Sequence, residues 1–410
     1  MEILVIGGGI GGLTLALSLH QAGVACRVYE AAPEIMPLGV GINLLPHAMR
    51  EYTELGLAER LARVAVATRE VCFYNRFGQL IFREPRGRFA GYEWPQLSIH
   101  RGDLHGVLLE AARERLGPDR IVLGKKCIAL DQDGRSVRAR FEDGSSARGA
   151  AMIGCDGVNS AVRKLLHPGE GPPAYQGINM WRGVTRATPF LSGASMVIAG
   201  WLETGKMVIY PIRERLEGER SQLLNWVAEI QSPRNVMQDW NLAGRLEDFY
   251  PTFERWRFDW LDVAAMIRSA DTILEYPMVD RDPLPWWSSG RVTLLGDAAH
   301  PMYPRGSNGA GQAVLDARTL AGCLRREADV PAALQAYEKA RLKPAYEVVL
   351  MNRANPPDTI LREVHRRTGD RPFDRIENVI SAAELAEISE NYKRVAGFER
   401  EALARRESLA

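Results

Sequence analysis

The chain has 410 residues, 52 Lys and Arg against 51 Asp and Glu, a formal net charge of +1, and 46% apolar residues. That length and composition can bury a large core in about two or three domains, while a charge near zero argues against a non-specific nucleic-acid binder or a strongly membrane-attracted surface. Five scattered cysteines with no CxxC pair argue against a disulfide scaffold or a metal site and favour a reducing, cytoplasmic setting.

The first thirty residues predict strand, turn, helix and strand. Ile3 to Ile6 is a short apolar run suited to a strand buried on both faces. Glycines follow at once, Leu13 to Gln21 has helical spacing, Gly23 ends the helix, and Cys26 to Tyr29 forms the next strand. No basic leader precedes this run and no apolar stretch reaches the roughly 18 residues of a membrane span. Residues 47–63 are expected to be helical, 71–83 a hairpin turning near Gly78, and 103–116 a helix that Asp103 caps. Residues 121–153 alternate short strands and turns. From 178 to 280, β-branched and aromatic segments predict a second, largely antiparallel sheet, interrupted by a helical stretch at 244–268. Residues 291–296 return to a buried strand. Helices over 311–327 and 332–351 follow, Asn355-Pro356-Pro357 breaks the pattern, and the charged tail from 358 to 410 is helical.

Three segments carry chemistry. The first is Gly7-x-Gly9-x-x-Gly12, with Gly11 inside it, placed between strand and helix. Gly7 permits the turn, Gly9 lets the backbone approach a pyrophosphate, Gly12 allows close packing, and the helix N-terminus faces the phosphates. Glu30, closing the second strand, suits the two hydroxyls of an adenosine ribose and repels a 2′-phosphate. The second is GCDGVNSAVR (154–163), in which Asp156, Ser160 and Arg163 gather near one helix start; alone, an Asp-Gly turn reads as structural. The third is GDAAHPMYPRGSNGAGQAVLDA (296–317). There Asp297 at a strand end can hold a polyol hydroxyl, and the amides of Gly309, Ala310 and Gly311 at a helix N-terminus stabilise an anion; alone, this reads equally as a cap and a surface loop.

Taken together and in this order, the three segments resemble the single-component FAD-dependent aromatic hydroxylases of the p-hydroxybenzoate hydroxylase type, over roughly residues 1–350. The stretches PLGVGIN (37–43), SIHRG (98–102), MWRGVT (180–185), LLNWV (223–227) and YPMVDRDPLP (276–285) are more closely similar to phenazine hydroxylases. The resemblance implies an α/β fold. A Rossmann-like FAD-binding parallel sheet (1–72, 98–175 and 286–352) stands beside a mostly antiparallel substrate domain (73–97 and 176–285) and a C-terminal helical tail (353–410). It implies FAD as cofactor, NADH or NADPH as transient electron donor, and a flavin hydroperoxide that hydroxylates a small aromatic substrate with molecular oxygen, with loss of carbon dioxide where the attacked carbon bears a carboxyl. FAD would meet Glu30, the Gly9–Gly12 turn, Arg101 and Asp297, with its ring against Gly41 and the helix start at Gly309. The Asp156 segment is associated with both FAD and the nicotinamide cofactor.

Trp181, Met207, Tyr210, Trp226 and Met278 are expected either to wall the substrate pocket or to be plain sheet core, Tyr210 being the favoured wall residue with a polar handle. His47 is a candidate base or a structural histidine, and His300 orders its loop. Arg305, beside Pro304, either pairs with a substrate carboxylate or tunes flavin charge, or is a solvated loop arginine. Two other readings stand beside the hydroxylase: a flavin oxidase or reductase of the same fold acting on an isoprenoid or polyketide, and a non-catalytic FAD-binding module. The tail packs on the body or mediates a dimer, so monomer and homodimer are both open.

Overall fold

The computed structural model describes residues 2–35, 39–214, 221–232 and 243–408. Pro37 and Leu38 of the stretch 37–43 lie outside the described residues.

The strand Glu2–Ile6 sits at the centre of a five-stranded parallel sheet. Ala25–Tyr29 and Ile121–Val122 lie on one side of it, Ala151–Gly154 and Val292–Leu294 on the other. Ile3, Leu4 and Val5 are fully buried, which is why this strand is a continuous apolar run rather than an alternating one. The helix Ile10–Gln21 crosses over the sheet and Gly23 (φ +74°) turns the chain back. A three-stranded antiparallel sheet (Gly41–Leu44, Leu97–His100, Ala65–Ala67) joins this unit to the next.

The second large sheet has seven strands in the order Ile273–Asp280, Ala174–Ala187, Gln222–Gln231, Gly205–Arg213, Ser195–Trp201, Glu70–Tyr74, Leu80–Pro85. All junctions are antiparallel except the one between Ser195–Trp201 and Glu70–Tyr74. Residues 195–201, buried throughout, form a strand that the sequence reading did not single out. The fold is thus the α/β arrangement the sequence implied, a Rossmann-like sheet with a mostly antiparallel partner and C-terminal helices.

The two faces of the second sheet bury different sets of side chains. One face carries Trp181, Met207 and Trp226, packed with Phe249 and Phe253 of the helix Leu246–Phe253. The other carries Met180, Tyr210, Ile212 and Met278, packed with Ile360, Leu361 and Leu385 of the tail. Of the five residues expected either to wall the pocket or to be sheet core, Trp181, Met207 and Trp226 are core on the far face. Side chains alternate across a strand, so Met207 and Tyr210, an odd number of residues apart, point to opposite sides.

The stretch 244–268 resolves into Leu246–Phe253 and Val263–Arg268 with a small hairpin between them. The helix Arg101–Leu116 begins at Arg101, so Asp103 is not its cap; Asp103 sits in the first turn and pairs with Arg213 at 2.6 Å. The tail forms helices Thr359–Thr368, Ala382–Ala396 and Arg400–Arg405, the second opened by a capping box between Ser381 and Glu384. These helices pack on the body. Among the described residues no helix is long and apolar enough to cross a membrane.

Candidate active site

A cleft of about 970 Å³ opens along the carboxyl ends of the parallel strands. This is where an open α/β sheet receives a ligand, outside its strand ends. Gly8, Gly9, Glu30, Arg101, Asp156 and Asp297 line it, together with Val184, Arg186 and Tyr276 from the second sheet. Gly7 holds φ +107° with the Cys155 carbonyl where a side chain would stand, so only glycine makes this turn. At Gly9 nothing lies within 4 Å of where a Cβ would project, leaving the helix N-terminus open. Gly11 faces Leu295 and Ala313 instead, and its role is packing between helices.

Glu30 is fixed by two backbone amides. Gly8 N–H donates to Oε2 at 2.6 Å and Ala32 N–H to Oε1 at 2.8 Å. Each carboxylate oxygen keeps a further lone pair for a hydroxyl. His105, four residues beyond Arg101 and on the same helix face, bonds the Gly8 carbonyl through Nε2 at 2.7 Å. That spacing was a legible signal which the sequence reading passed over.

Asp156 accepts hydrogen bonds from Ser160 Oγ and from the amides of Ala161 (2.7 Å) and Val162 (3.1 Å), so with the N-cap Ser160 it satisfies the first turn of a helix at the edge of the cleft. Burial raises its carboxyl, and these donors oppose that. Three residues past the N-cap Ser160, the buried Arg163 donates to the carbonyls of Ala298 (3.0 Å) and Ala299 (2.8 Å) and pairs with Glu170 at 2.6 Å. Arg163 thereby ties the second segment to the third and positions the Asp297 turn. Asp297 faces the cleft and accepts no hydrogen bond from any described residue. The protein around it raises its carboxyl, with His300 and Arg101 opposing. From below, Asp316 holds the same turn: it accepts from Gly296 N–H at 3.1 Å, contacts His300 Nε2 at 2.6 Å, and accepts from Arg341 Nε at 2.7 Å.

These residues fit FAD. The open glycine turn would take a pyrophosphate, the anchored Glu30 one end of the molecule, and Asp297, which faces the cleft, a hydroxyl-bearing chain. Gly309 begins the helix Gly309–Arg326 beside Asp297, with Ala310 in its first turn, and that helix N-terminus favours negative charge.

Beyond the cleft lies a separate cavity of about 100 Å³. Val71, Phe73, Met180, Met196, Ile198, Val208 and Val227 give it apolar walls. Tyr210, Asn43, Arg182, Arg305 and Ser307 supply polar groups, and Pro304 adds to the wall. Gly41 separates the two spaces. A Cβ there would sit 2.6 Å from the Tyr210 ring and 2.7 Å from both Asn225 and Ile212. Its amide donates to Asn225 Oδ1 at 2.6 Å, and its carbonyl accepts from Arg182 Nη2 at 3.0 Å. Burial pushes the Tyr210 phenol up, and Arg182 beside it pulls the other way.

The tail completes this cavity with Asp358, Ser389, Tyr392, Lys393 and Phe398, none of which the sequence reading marked. Arg305 is not a solvated loop arginine. It is buried against Asp358 (3.0 Å), which also binds Lys206 at 2.6 Å, while Lys206 reaches Glu229 at 2.8 Å. The Arg305 guanidinium also lies 5.6 Å from the Trp201 ring.

His47 lines neither space. It is fully buried, contacts Asn308 Oδ1 through Nε2 at 3.1 Å and stacks on Phe398 with ring centroids 5.4 Å apart. Burial, reinforced by Arg406, lowers its pKa to about 3. It is a neutral packing group with no path to a substrate, which corrects the reading of it as a base.

Comparison with known proteins agrees with the geometry. The FAD binding domain family model matches residues 1–250 and 275–351. The chain is 41% identical over 407 residues to the phenazine 1,6-dicarboxylic acid hydroxylase PhzS of Lysobacter antibioticus, covering 96% of this chain and 97% of that protein. It is 34% identical to the 3-amino-4-hydroxybenzoate 2-monooxygenase PtmB3 of Streptomyces platensis, covering 97% and 96%. In fold it is similar to Klebsiella pneumoniae HpxO complexed with FAD and uric acid, with a TM-score of 0.76 at 24% identity, covering 98% and 97%. A cleft built for FAD, a family model spanning both large sheets and hydroxylase relatives along nearly the whole length lead to one assignment: the chain belongs to the FAD-binding-domain family of flavoprotein hydroxylases, with FAD as its cofactor.

Proposed function

We propose that the protein is an NAD(P)H- and oxygen-dependent monooxygenase that hydroxylates an aromatic or heteroaromatic acid, with phenazine carboxylates as first candidates. One observation carries this reading: a single strand, Ala174–Ala187, serves both spaces with one face. Val184 and Arg186 line the cleft, and Met180 and Arg182 line the cavity. A flat ligand in the cavity then lies at the end of the cleft where the flavin ring belongs. The 41% identity to a phenazine hydroxylase supports the choice of substrate.

FAD, reduced by NADH or NADPH, supplies the oxygen chemistry. The chain supplies the rest. Glu30, Gly9 and Asp297 hold the cofactor, with Arg101 at the cleft wall and Gly309 and Ala310 placing a helix N-terminus at the ring. Asp156 holds the turn that Arg163 braces. Gly41 and Pro304 set the walls between ring and substrate, and Tyr210 and Arg182 offer a hydroxyl and a cation to the substrate. The apolar walls exclude water from the reacting centre. Arg305 acts through Asp358 and holds the tail against the cavity.

The test is NAD(P)H consumption by the FAD-loaded protein with a panel of phenazine carboxylates, salicylate and hydroxynicotinates under ¹⁸O₂. One labelled oxygen in the product is expected, and product mass tells whether a carboxyl is lost. Consumption that yields only hydrogen peroxide with every member of the panel would overturn the reading.

A further inference from the structure

One wall of the cavity is a loop with no ladder to hold it. Residues 301–307 lie outside any helix or strand, between the Asp297 turn and the helix Gly309–Arg326. Pro304, Arg305, Gly306 and Ser307 all line the cavity. Gly306 (φ +85°) and Ser307 (φ +56°) are left-handed in succession, and a residue with a Cβ rarely adopts that conformation. Such a segment keeps its shape only where its surroundings impose it.

Side chains impose it here. Asn352, fully buried on the helix Val330–Ala354, donates from Nδ2 to the Tyr303 carbonyl at 3.1 Å. Its Oδ1 accepts from the Tyr392 hydroxyl at 2.9 Å, and the same hydroxyl lies 3.4 Å from the Arg305 carbonyl. Burial pushes the Tyr392 phenol up, so it keeps the proton it donates. That proton fixes which way the Asn352 amide faces, and this orientation is what points Nδ2 at Tyr303. A Cβ on Gly306 would run into the Tyr392 hydroxyl and ring, so the loop also packs directly on this side chain.

The helix Ala382–Ala396 places Tyr392. Ser389, Tyr392 and Lys393, three and four residues apart, share one face of it and line the cavity. Ser389 Oγ donates to Glu84 at 2.7 Å, Lys393 pairs with the same carboxylate, and the Ala396 carbonyl accepts from Gln312 Nε2 at 3.2 Å. The helix is thus clamped before and after Tyr392.

We propose that Tyr392 is a positioning residue which, through Asn352, holds the loop 303–307 between flavin and substrate and so sets how much NAD(P)H consumption ends in hydroxylated product. In the productive course one oxygen atom enters the ring and the other leaves as water. With the loop loosened, the same two electrons reduce oxygen to hydrogen peroxide and the substrate is left intact. This rests on the reading of the cavity as the substrate site of a hydroxylase.

The experiment compares the FAD-loaded parent with Tyr392→Phe and with Tyr392→Phe/Asn352→Leu. The single variant keeps the ring but strands Asn352 Oδ1, so it should melt lower. The double variant removes the stranded acceptor and should regain part of that loss, because two polar partners replaced together leave nothing unpaired. In both, product formed per NAD(P)H should fall by roughly two- to tenfold, the worth of one hydrogen bond, with peroxide making up the difference. Both should also change the flavin absorbance response when a phenazine carboxylate fills the cavity, a readout that needs no turnover. A parental product ratio and flavin response in Tyr392→Phe would overturn the proposal. So would a double variant that recovers both along with its stability, since Tyr392 would then be plain packing. If the parent hydroxylates no aromatic at all, the hydroxylase reading falls, and the flavin response alone decides whether Tyr392 holds the loop.

Discussion

Replacing Asp358 by Asn removes one charge from the most enclosed ion cluster at the cavity. The side chains of Asp358, Lys206, Glu229 and Arg305 are between 3% and 9% exposed. Burial alone would raise the Asp358 carboxyl, yet Lys206 and Arg305 hold it down at about 2 against an ordinary 3.8. That difference corresponds to about 2–3 kcal/mol favouring the ionised folded form. The carboxylate stays ionised in the folded protein to about pH 2 and in the unfolded chain only to about pH 4. Its contribution is therefore complete at neutral pH and fades as pH falls from about 4 to about 2. Asn at this position also leaves Arg305 buried without a partner, and breaking a buried pair costs about 3–5 kcal/mol. Denaturant unfolding at pH 7, followed by tryptophan fluorescence, should show a loss of about 3 kcal/mol. Adding Arg305→Met should recover part of it, because the stranded charge is then gone. A single substitution within about 0.5 kcal/mol of the parent, or a double variant worse than the single by the full cost of Arg305, would refute this account of the cluster.

Other consequences can be measured directly. Glu30→Ala frees the amides of Gly8 and Ala32 and removes the acceptor at one end of the cofactor, so FAD binding should weaken by roughly ten- to a hundredfold; an affinity within twofold of the parent counts against the assignment. Gly41→Ala puts a methyl 2.6 Å from the Tyr210 ring and should cost about 1–3 kcal/mol of stability and loosen the flavin, both read by melting the FAD-loaded protein with flavin fluorescence. His47 is held neutral to about pH 3 in the fold but accepts a proton near pH 6.5 once unfolded, so it opposes folding as pH drops through that interval. Between pH 7 and pH 5 the parent should lose roughly 2 kcal/mol more stability than His47→Gln in denaturant titrations, and identical pH slopes would contradict the burial argument.

The cofactor half of the site was legible because its parts are local. Gly7, Gly9, Gly12 and Glu30 fall within one strand–helix–strand unit whose apolar run and turn residues announce themselves. Asp297 was legible for the same reason, at the end of a short buried strand. The substrate half was not. The Arg305–Asp358 pair spans 53 residues and Lys393–Glu84 spans 309, and such long-range ion pairs leave no periodic trace in the chain. Facing was the other point that composition left open. Trp181, Met207 and Trp226 have the composition of pocket walls, and only the strand register shows that they turn away from the cavity. Ser195–Trp201 escaped notice because it is buried on both faces and so lacks the alternation that marks a half-exposed strand.

The shared strand Ala174–Ala187 acts as a ruler between cofactor and substrate. Arg182 and Val184 are neighbours on one face, so the two spaces are offset by a single pleat repeat, roughly 7 Å. A slip of one residue would swing both arginines to the opposite side and erase both spaces at once, so that offset cannot be adjusted in small steps. Changes in which ring position meets the flavin must instead come from the surrounding loops and the C-terminal helices, which can be altered without disturbing where the flavin lies.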